Sequence, residues 1–212
     1  MIARRDIGEH LPMASQPYIA FEGPIGAGKT TLALLLAAHM GAMPMLENVD
    51  GNEFLADFYR DRPRWALGMQ LSFLISRHEQ LRTVAPFRAK AVVADYTRAK
   101  DAIFARILLC DRELQLYESI SAGLNARVVR PDLIVYLDAD DSVLLNRIRL
   151  RNRFYELSID GKYLETLREA YRQYLKSAQD VQVLRYDTST MNLASESELT
   201  ALYKTILSAV SK

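Results

Sequence analysis

Residues 23–30 read GPIGAGKT, where three glycines and a proline come before a lysine and a threonine. Glycine lets successive amides turn inward around an anion, because no Cβ atom crowds the concave side of the loop. A helix that starts at the end of such a loop adds unpaired N–H groups and the positive end of its dipole. Lys29 supplies a point charge for the β- and γ-phosphates, and the Thr30 hydroxyl is a ligand for Mg²⁺. The segment predicts a nucleoside triphosphate site formed by Gly23, Ile25, Gly26, Ala27, Gly28, Lys29, Thr30 and Thr31.

The segment matches the pattern G-x-x-x-x-G-K-[ST] at every position and lies between an apolar run and an Ala- and Leu-rich stretch. The expected nucleotide is ATP or another nucleoside triphosphate, but the acceptor of the phosphate stays open. Water would indicate an NTPase, a phosphate would indicate a nucleotide kinase, and a hydroxyl would indicate a nucleoside or small-molecule kinase. The chain contains no [NT]-K-x-D base-reading motif, which argues against a switch GTPase, and its 212 residues favour a small kinase.

Two acidic residues, Asp95 and Glu47, each end an apolar run that we predict to be a strand. In an open parallel sheet the carboxyl ends of the strands border the ligand, so both side chains are expected beside the phosphate loop. Asp95 is a candidate ligand for Mg²⁺ together with Thr30, and its alternative role is the N-cap of the following helix. Glu47 is a candidate for the carboxylate that orients an acceptor hydroxyl and takes its proton, although Glu53 and Asp50 compete for that role.

A run of arginines follows the fourth predicted strand. On a helix, Arg147 and Arg151 share one face, while Arg149 and Arg153 share another. Such a run is usually a solvated basic face. In a protein that transfers phosphoryl groups it has a second interpretation, a lid near residues 147–160 that closes arginines onto the phosphates and spreads the charge of the transition state. The spacing alone does not separate the two interpretations.

The elements that must position these residues alternate between short apolar runs and long helical patterns. The predicted strands are residues 18–22, 43–47, 91–95, 131–138 and 181–186. The predicted helices are residues 31–40, 52–60, 64–84, 101–126, 141–151, 160–178 and 195–210, with an interruption at Pro63. Strands separated by long helices need crossover connections, and crossovers imply a parallel sheet. The expected fold is α/β, a three-layer sandwich in which long helices flank a central, mostly parallel five-stranded sheet.

Length and composition are typical of a globular protein, with half of the residues apolar and a quarter charged. We predict one domain over residues 18–212, preceded by a loose tail, residues 1–17, that lacks the apolar stretch of a secretory signal. The net charge of +1 gives no indication of a nucleic-acid partner, and the chain has no apolar run long enough to span a membrane. The single cysteine, Cys110, is expected to be buried on a helix in a reducing, cytoplasmic setting.

The stretch ENVDGNEFLADFYRDRPRWALGMQLSFLISR resembles the substrate region of the deoxynucleoside kinases. The resemblance extends over residues 18–188, where several separate motifs agree in order and spacing. It implies that Glu47 is the base that activates the 5′-hydroxyl of the sugar and that Tyr59 binds the 3′-hydroxyl. It also implies that Trp65 forms a wall of the pocket and that Gln70 hydrogen-bonds the edge of the nucleobase.

The same resemblance gives roles to charged residues further along the chain. Arg77 would lie behind the base with Asp101 as its carboxylate partner, and Glu156 would share the 3′-hydroxyl with the tyrosine. The loop that holds the adenine of the donor follows the last strand, at Tyr186-Asp187-Thr188, with Asp187 as the expected binding residue. The lid arginines of the family fall on Arg147, Arg151 and Arg153. Each of these side chains taken alone could equally belong to the core, to a helix surface or to a structural salt bridge. The resemblance therefore rests on their combined order and spacing.

One position departs from the family pattern. After the acid that ends the third strand, many members place an arginine and then a serine, and that arginine touches the 5′-hydroxyl and the phosphates. Here Asp95 is followed by Tyr96 and Thr97, with Arg98 next. Arg98 or the lid arginines are the candidates to replace the missing charge, and the departure bears on the rate of turnover.

The resemblance implies an ATP- and Mg²⁺-dependent kinase that phosphorylates a deoxynucleoside in nucleotide salvage. In the family, a polar pair such as Arg77 and Asp101 goes with adenine, guanine or cytosine, whereas thymidine-preferring members carry small or apolar residues there. Deoxyadenosine, deoxyguanosine and deoxycytidine are the expected acceptors, with deoxyadenosine slightly ahead.

Two alternatives remain, a non-catalytic nucleotide-binding subunit of the same fold and a nucleoside monophosphate kinase. The first agrees with the missing arginine but not with the intact phosphate loop. A nucleoside monophosphate kinase would need additional basic residues to bind the phosphate of its acceptor. The resemblance further implies a homodimer through the long helices at 66–84 and 101–126, although core packing explains the same apolar pattern.

Overall fold

The computed structural model describes residues 16–84, 90–124, 129–156, 158–178, 180–193 and 195–210. Nearly all of the predicted N-terminal tail therefore lies outside the described residues, as do positions 125 and 126 of the predicted helix 101–126. Within the described ranges, no helix is both long enough and apolar enough to cross a membrane.

A parallel sheet forms the centre of the fold, with the strands β1 Tyr18–Glu22, β2 Met43–Met45, β3 Val92–Ala94, β4 Leu133–Asp138 and β5 Gln182–Asp187. Their order across the sheet is β2-β3-β1-β4-β5, and every neighbouring pair is parallel. Ala20 in the central strand lies opposite Ala94 in β3 and Ile134 in β4. The predicted α/β class and five-stranded sheet are confirmed, and the described sheet is wholly rather than mostly parallel.

Helices cover both faces of this sheet: α1 Lys29–Met40, α2 Leu55–Arg60, α3 Arg62–Val84, α4 Ala99–Leu108, α5 Asp111–Gly123, α6 Asp141–Arg151, α7 Gly161–Ser177 and α8 Glu196–Val210, with a 3₁₀ turn at Phe154–Glu156. Ile19 and Phe21 of β1 pack on one face with side chains of α1 and α8. Tyr18 and Ala20 point to the opposite face, where Leu81 of α3 packs. This alternation is the two-residue period of a strand buried on both sides, and it produces the predicted three layers.

The prediction of one helix over residues 101–126 is wrong, because the chain forms two helices there, α4 and α5. Leu109, with φ −96° and ψ 142°, and Cys110, with φ −71° and ψ 164°, are both extended. The N–H of Cys110 donates to the side chain of Glu113 at 3.2 Å, a local capping bond that starts a new helix. Cys110 is consequently exposed, and the prediction that it is buried within a helix is also wrong.

The break between α2 and α3 lies at Asp61, two residues before the predicted interruption at Pro63. Asp61 has φ −145° and ψ 83°, which ends α2, and α3 begins at the next residue. Proline is tolerated in the first turn of a helix, since the N–H that it lacks would have no partner there. The bend between the helices lets Tyr59 of α2 and Gln70 of α3 line the same cavity.

Gly23 lies where the chain leaves β1 for the phosphate loop. Its φ is +143°, and a Cβ atom at this position would lie 2.1 Å from the carbonyl oxygen of Leu137 in β4. Only glycine fits so close to a neighbouring backbone in this conformation. The first glycine of the loop is therefore required by the packing of β1 on β4.

We expect Gly23→Ala to lower the free energy of unfolding by about 3 kcal/mol or more, because a clash with backbone adds to an unfavourable φ. Gly123→Ala at the end of α5 is the control, since a Cβ atom there meets nothing within 4 Å. Its effect should stay below about 1 kcal/mol. Urea unfolding measures both variants, and equal stabilities would contradict this account of the loop.

Candidate active site

The loop between β1 and α1 carries a backbone suited to an anion. Gly28, with φ +95°, precedes α1, and no side chain among the described residues caps the first turn. The N–H groups of that turn are therefore available at the positive end of the helix dipole. The Nζ of Lys29 donates to the carbonyl oxygens of Gly23 and Pro24 at 2.8 Å each, which holds the ammonium across the loop. Burial, followed by the charge of Lys100, lowers the pKa of Lys29 to about 8.

Asp95, directly after β3, joins the phosphate loop to the chain that follows β2. Its Oδ2 accepts from the Thr30 hydroxyl at 2.5 Å, and its Oδ1 accepts from the N–H of Glu47 at 2.8 Å. The N-cap interpretation of Asp95 is wrong, because α4 begins after Arg98. In the described part of the chain, no three His, Cys, Asp or Glu side chains converge on a possible metal position. A hydroxyl beside a carboxylate nevertheless fits Mg²⁺, which takes few protein oxygens and completes its shell with phosphates and water.

Glu47 is held by two cations. Its Oε1 accepts from the Nε of Arg77 at 3.0 Å, and its Oε2 accepts from the Nζ of Lys100 at 2.6 Å. Burial by itself raises the pKa of this carboxyl, but Lys100 and Arg77 outweigh burial and hold the pKa well below its usual range. Arg77 also forms an ion pair with Asp101, and both of these side chains are buried. Glu47 is therefore an ionised acceptor whose orientation is fixed.

A cavity of about 630 Å³ opens beside Glu47 and extends from the phosphate loop to α2 and α3. The competing acids, Asp50 and Glu53, are exposed and do not line it. The structure thus brings the predicted phosphate-binding residues and the predicted acceptor-binding residues into one cavity. The predicted residues that line the cavity are Ile25, Gly26, Ala27, Gly28, Lys29, Thr30, Thr31, Glu47, Tyr59, Gln70, Arg77, Asp95, Arg147, Arg151, Arg153 and Glu156.

The structure places four predicted residues outside the cavity lining, namely Gly23, Trp65, Asp101 and Asp187. Trp65 packs against Phe54, with ring centroids 5.9 Å apart. Asp187 accepts from the N–H and the hydroxyl of Ser189 at 2.8 and 2.6 Å, so it stabilises its own turn at the surface. Its neighbour Thr188 lines the cavity instead.

Gln70 lies among apolar side chains at the end of the cavity away from the phosphate loop. The residue is 2% exposed, and its Oε1 has no hydrogen-bond partner among the described residues. Its Nε2 lies 3.6 Å from the sulfur of Met69. A buried amide oxygen without a partner costs free energy, which a ligand that donates to it would recover. Phe58 and Phe73 add flat apolar surface, so this end suits an aromatic ring with a polar edge.

Tyr59 and Glu156 lie on the side of the cavity formed by α2 and the 3₁₀ turn. Tyr59 stacks on Tyr155 with ring centroids 5.4 Å apart. Burial first, and then neighbouring groups that include Glu156, raise the pKa of Tyr59, so its hydroxyl stays a donor. The buried carboxylate of Glu156 accepts from the Nε of Arg151 at 3.0 Å, and Arg153 lies 3.8 Å from its other oxygen. A phenol and a carboxylate together can bind a sugar hydroxyl.

Arg147 ties the loop after β5 to the site. Its guanidinium donates to the hydroxyl of Thr188 at 2.9 Å and to the carbonyl of Thr188 at 2.7 Å. The Thr188 hydroxyl in turn donates to the carbonyl of Ala27 in the phosphate loop at 3.2 Å. Arg149 is exposed and does not line the cavity. The arginine run therefore splits between the cavity and a solvated face.

Sequence reasoning missed Lys100. The residue stands directly before Asp101, and nothing in the local pattern shows that its ammonium reaches Glu47 across 53 positions of chain. The predicted helix begins at residue 101, so Lys100 falls just outside it, whereas in the structure it lies in the first turn of α4, where the dipole disfavours a cation. Arg98, a candidate for the missing charge, donates to the carbonyl of Ser121 at 3.2 Å and does not line the cavity.

Comparison with known proteins identifies the family. The family profile described as deoxynucleoside kinase matches residues 19–210. The chain belongs to the deoxynucleoside kinase family. It is similar to the deoxyguanosine kinase of Bacillus subtilis, with 36% identity over 171 residues that cover 79% of this chain and 83% of the relative. It is also similar to the deoxyadenosine kinase of Dictyostelium discoideum, with 37% identity over 164 residues that cover 75% and 66% of the two chains.

A solved structure of a deoxynucleoside kinase shares the fold. The deoxyadenosine kinase of M. mycoides, described with the products dCMP and a flexible dCDP bound, has a TM-score of 0.79 to this chain. The match covers 90% of this chain and 99% of that one at 23% identity. The predicted family and P-loop α/β fold are confirmed, and as a deoxynucleoside kinase the protein is an enzyme.

For this deoxynucleoside kinase, we expect Arg147→Met to raise the KM for the triphosphate about tenfold and to change the KM for the deoxynucleoside less than threefold. The reason is that Thr188 would lose two hydrogen bonds from a charged group beside the phosphate loop. Arg149→Met removes the same charge from the exposed face of α6 and is the control. Steady-state kinetics with each substrate varied would contradict this role if both variants behaved alike.

Proposed function

We propose that this enzyme transfers the γ-phosphate of ATP, or of another nucleoside triphosphate, to the 5′-hydroxyl of deoxyadenosine, deoxyguanosine or deoxycytidine in nucleotide salvage. One observation carries the proposal: Glu47 borders the same cavity as Lys29 and Thr30 of the phosphate loop. A donor phosphate on the loop and an acceptor hydroxyl on Glu47 would meet inside that cavity. Asp95 supports this arrangement, because it hydrogen-bonds both Thr30 and the backbone of Glu47.

The phosphate loop is the proposed donor site. Its amides and Lys29 would hold the β- and γ-phosphates, with Thr30 and Asp95 as ligands of Mg²⁺, which neutralises charge on the phosphates when bound. Arg151 and Arg153 line the same cavity and would spread the charge that develops on the transferred group. In this proposal Arg147 holds the loop after β5 by its hydrogen bonds to Thr188. That loop would bind the base of the donor, with Thr188 contributing as well as Asp187.

Glu47 is the proposed carboxylate that orients the 5′-hydroxyl and takes its proton. Its lowered pKa makes it a weak base at neutral pH. The transition state of phosphoryl transfer is loose, however, so positioning and electrostatics contribute more than the strength of the base. An ionised carboxylate with both oxygens held suits that task.

The opposite end of the cavity is the proposed deoxynucleoside site. Tyr59 and Glu156 would bind the 3′-hydroxyl, and Gln70 would bind the edge of the base. Arg77, backed by Asp101, would complete the polar edge, with Trp65 as an outer wall beyond the cavity lining. Thymine would leave buried polar groups unpaired there, which disfavours thymidine. The names of the relatives include deoxyguanosine and deoxyadenosine kinases, and dCMP is bound in the M. mycoides structure, so the comparisons support all three acceptors without ranking them.

The two alternative functions receive less support. A non-catalytic subunit does not agree with membership in an enzyme family. A nucleoside monophosphate kinase would need cations free to bind an acceptor phosphate, whereas Arg77 and Lys100 are both paired with Glu47. We also propose a cytoplasmic homodimer without nucleic-acid or membrane partners, formed through α3 and α5, where Ile75 and Leu116 are large exposed apolar side chains.

A panel of four deoxynucleosides with ATP and Mg²⁺ tests the proposed function. We expect deoxyadenosine, deoxyguanosine or deoxycytidine to be phosphorylated with a kcat/KM at least about 100-fold above that of thymidine, because the buried polar pair rejects the thymine edge. Chromatography of the monophosphate products measures the rates. Product from none of the four, or thymidine as the best acceptor, would contradict the proposal.

Glu47→Gln tests the acceptor site directly. We expect kcat to fall by at least about 100-fold, because the amide cannot take the proton. The Kd for ATP should change less than about threefold, since Glu47 lies outside the phosphate loop. Glu53→Gln, an exposed acid a few residues away, should retain wild-type kinetics. If Glu47→Gln turned over normally, the assignment of the base would be rejected.

A further inference from the structure

Lys100 is a buried lysine whose ammonium lies at the carboxylate of Glu47. It stands in the first turn of α4, is 9% exposed, and donates to Oε2 of Glu47 at 2.6 Å. The first turn is the positive end of the helix dipole, where a cation is unfavourable, and burial of an ammonium also costs free energy. Its direct ion pair is with Glu47 at the cavity, and its charge also counteracts burial, which raises the pKa of the buried Glu22.

The two cations beside Glu47 bind different oxygens of its carboxylate. Arg77 binds Oε1 and is shared with Asp101, whereas Lys100 binds Oε2. A carboxylate oxygen has more than one lone-pair site, so Oε2 can accept from Lys100 and from a hydroxyl at the same time. Arg77 contacts Oε1 through two of its nitrogens, so Lys100 supplies the hydrogen bond that the described residues give to Oε2. Lys100 therefore controls the oxygen that Arg77 does not hold.

The neighbours of Lys100 do not supply this charge. Tyr96, which follows Asp95, is buried and donates its hydroxyl to Oε1 of Gln80 at 2.6 Å. Arg98 bonds the carbonyl of Ser121, and it does not line the cavity. Lys100 does line the cavity. Position 96, directly after Asp95, is thus uncharged, and Lys100, four residues further on, supplies the cation that reaches Glu47.

We propose that Lys100 is a positioning residue of the phosphoryl transfer: by binding Oε2 of Glu47, it aligns that carboxylate with the 5′-hydroxyl. The inference rests on the proposed role of Glu47. Lys100 is also near enough to Lys29 for its charge to lower the pKa of that ammonium. Two cations from different elements therefore border the space between acceptor and donor.

Lys100→Met should lower kcat about 100-fold, because a small misplacement of the reacting groups has an effect of that size. The KM values for ATP and the deoxynucleoside should change less than about threefold, since no proposed substrate contact is removed. Lys100→Arg restores the charge and should keep kcat within about fivefold of wild type. Arg106→Met removes a cation from the exposed side of α4, where its partner Glu118 is 3.6 Å away, and should leave kcat unchanged.

A double-mutant cycle separates positioning from a general effect. In the Glu47→Gln background, Lys100→Met should lower kcat less than about threefold further, because Lys100 acts through Glu47. Full additivity, or a Lys100→Met variant with wild-type kcat, would overturn the proposal. If Lys100→Met does not fold, Lys100→Gln replaces it, with an expected loss of about tenfold, and wild-type kcat in that variant would also overturn the proposal.

The same cycle distinguishes this inference from the proposed function. If Glu47→Gln has a low kcat while Lys100→Met keeps the wild-type kcat, only the role of Lys100 is refuted. A fast Glu47→Gln enzyme would refute the proposed role of Glu47 and, with it, the role of Lys100. ATP binding by each variant, measured by calorimetry, confirms that the variants compared are folded.

Discussion

The site depends on one buried carboxylate, Glu47, which stays ionised because two cations reach it from different helices. Arg77 comes from α3 and Lys100 from α4, while Asp95 binds the backbone of Glu47 from the end of β3. Buried ion pairs are costly to desolvate, and loss of one partner leaves an uncompensated charge. Such a cluster contributes little to stability, so we infer that it is retained for the chemistry of the cavity that it borders.

The topology explains why the donor and acceptor groups meet. The strand order puts β1 beside β3 and β3 beside β2, all with their carboxyl ends at one edge of the sheet. The phosphate loop, Asp95 and Glu47 leave the sheet at that edge, where open α/β sheets bind their ligands. The bend at Asp61 then brings α2 and α3 over the same cavity. The sheet thus positions the phosphate chemistry, and the paired helices add the pocket that recognises the acceptor.

The parts of the fold that depend on local pattern could be predicted from the sequence. The phosphate loop, the five strands and most helices follow from glycines, apolar runs and helical spacing. The division at Leu109 was missed because it depends on a capping bond between Cys110 and Glu113. Lys100 was missed because its partner is distant in the chain. Within the predicted loop at residues 186–188, Thr188 lines the cavity, whereas Asp187 binds Ser189 instead, a local turn that the sequence pattern does not show.

A crystal structure of the enzyme with Mg²⁺, an unreactive ATP analogue and deoxyadenosine tests the central claim most directly. The account predicts the triphosphate on the loop at residues 23–30 and the 5′-oxygen within about 3.2 Å of Oε2 of Glu47, with Arg77 and Lys100 still bound to that carboxylate. A 5′-oxygen out of reach of Glu47, or a Glu47 released by both cations and turned away from the acceptor, would contradict it.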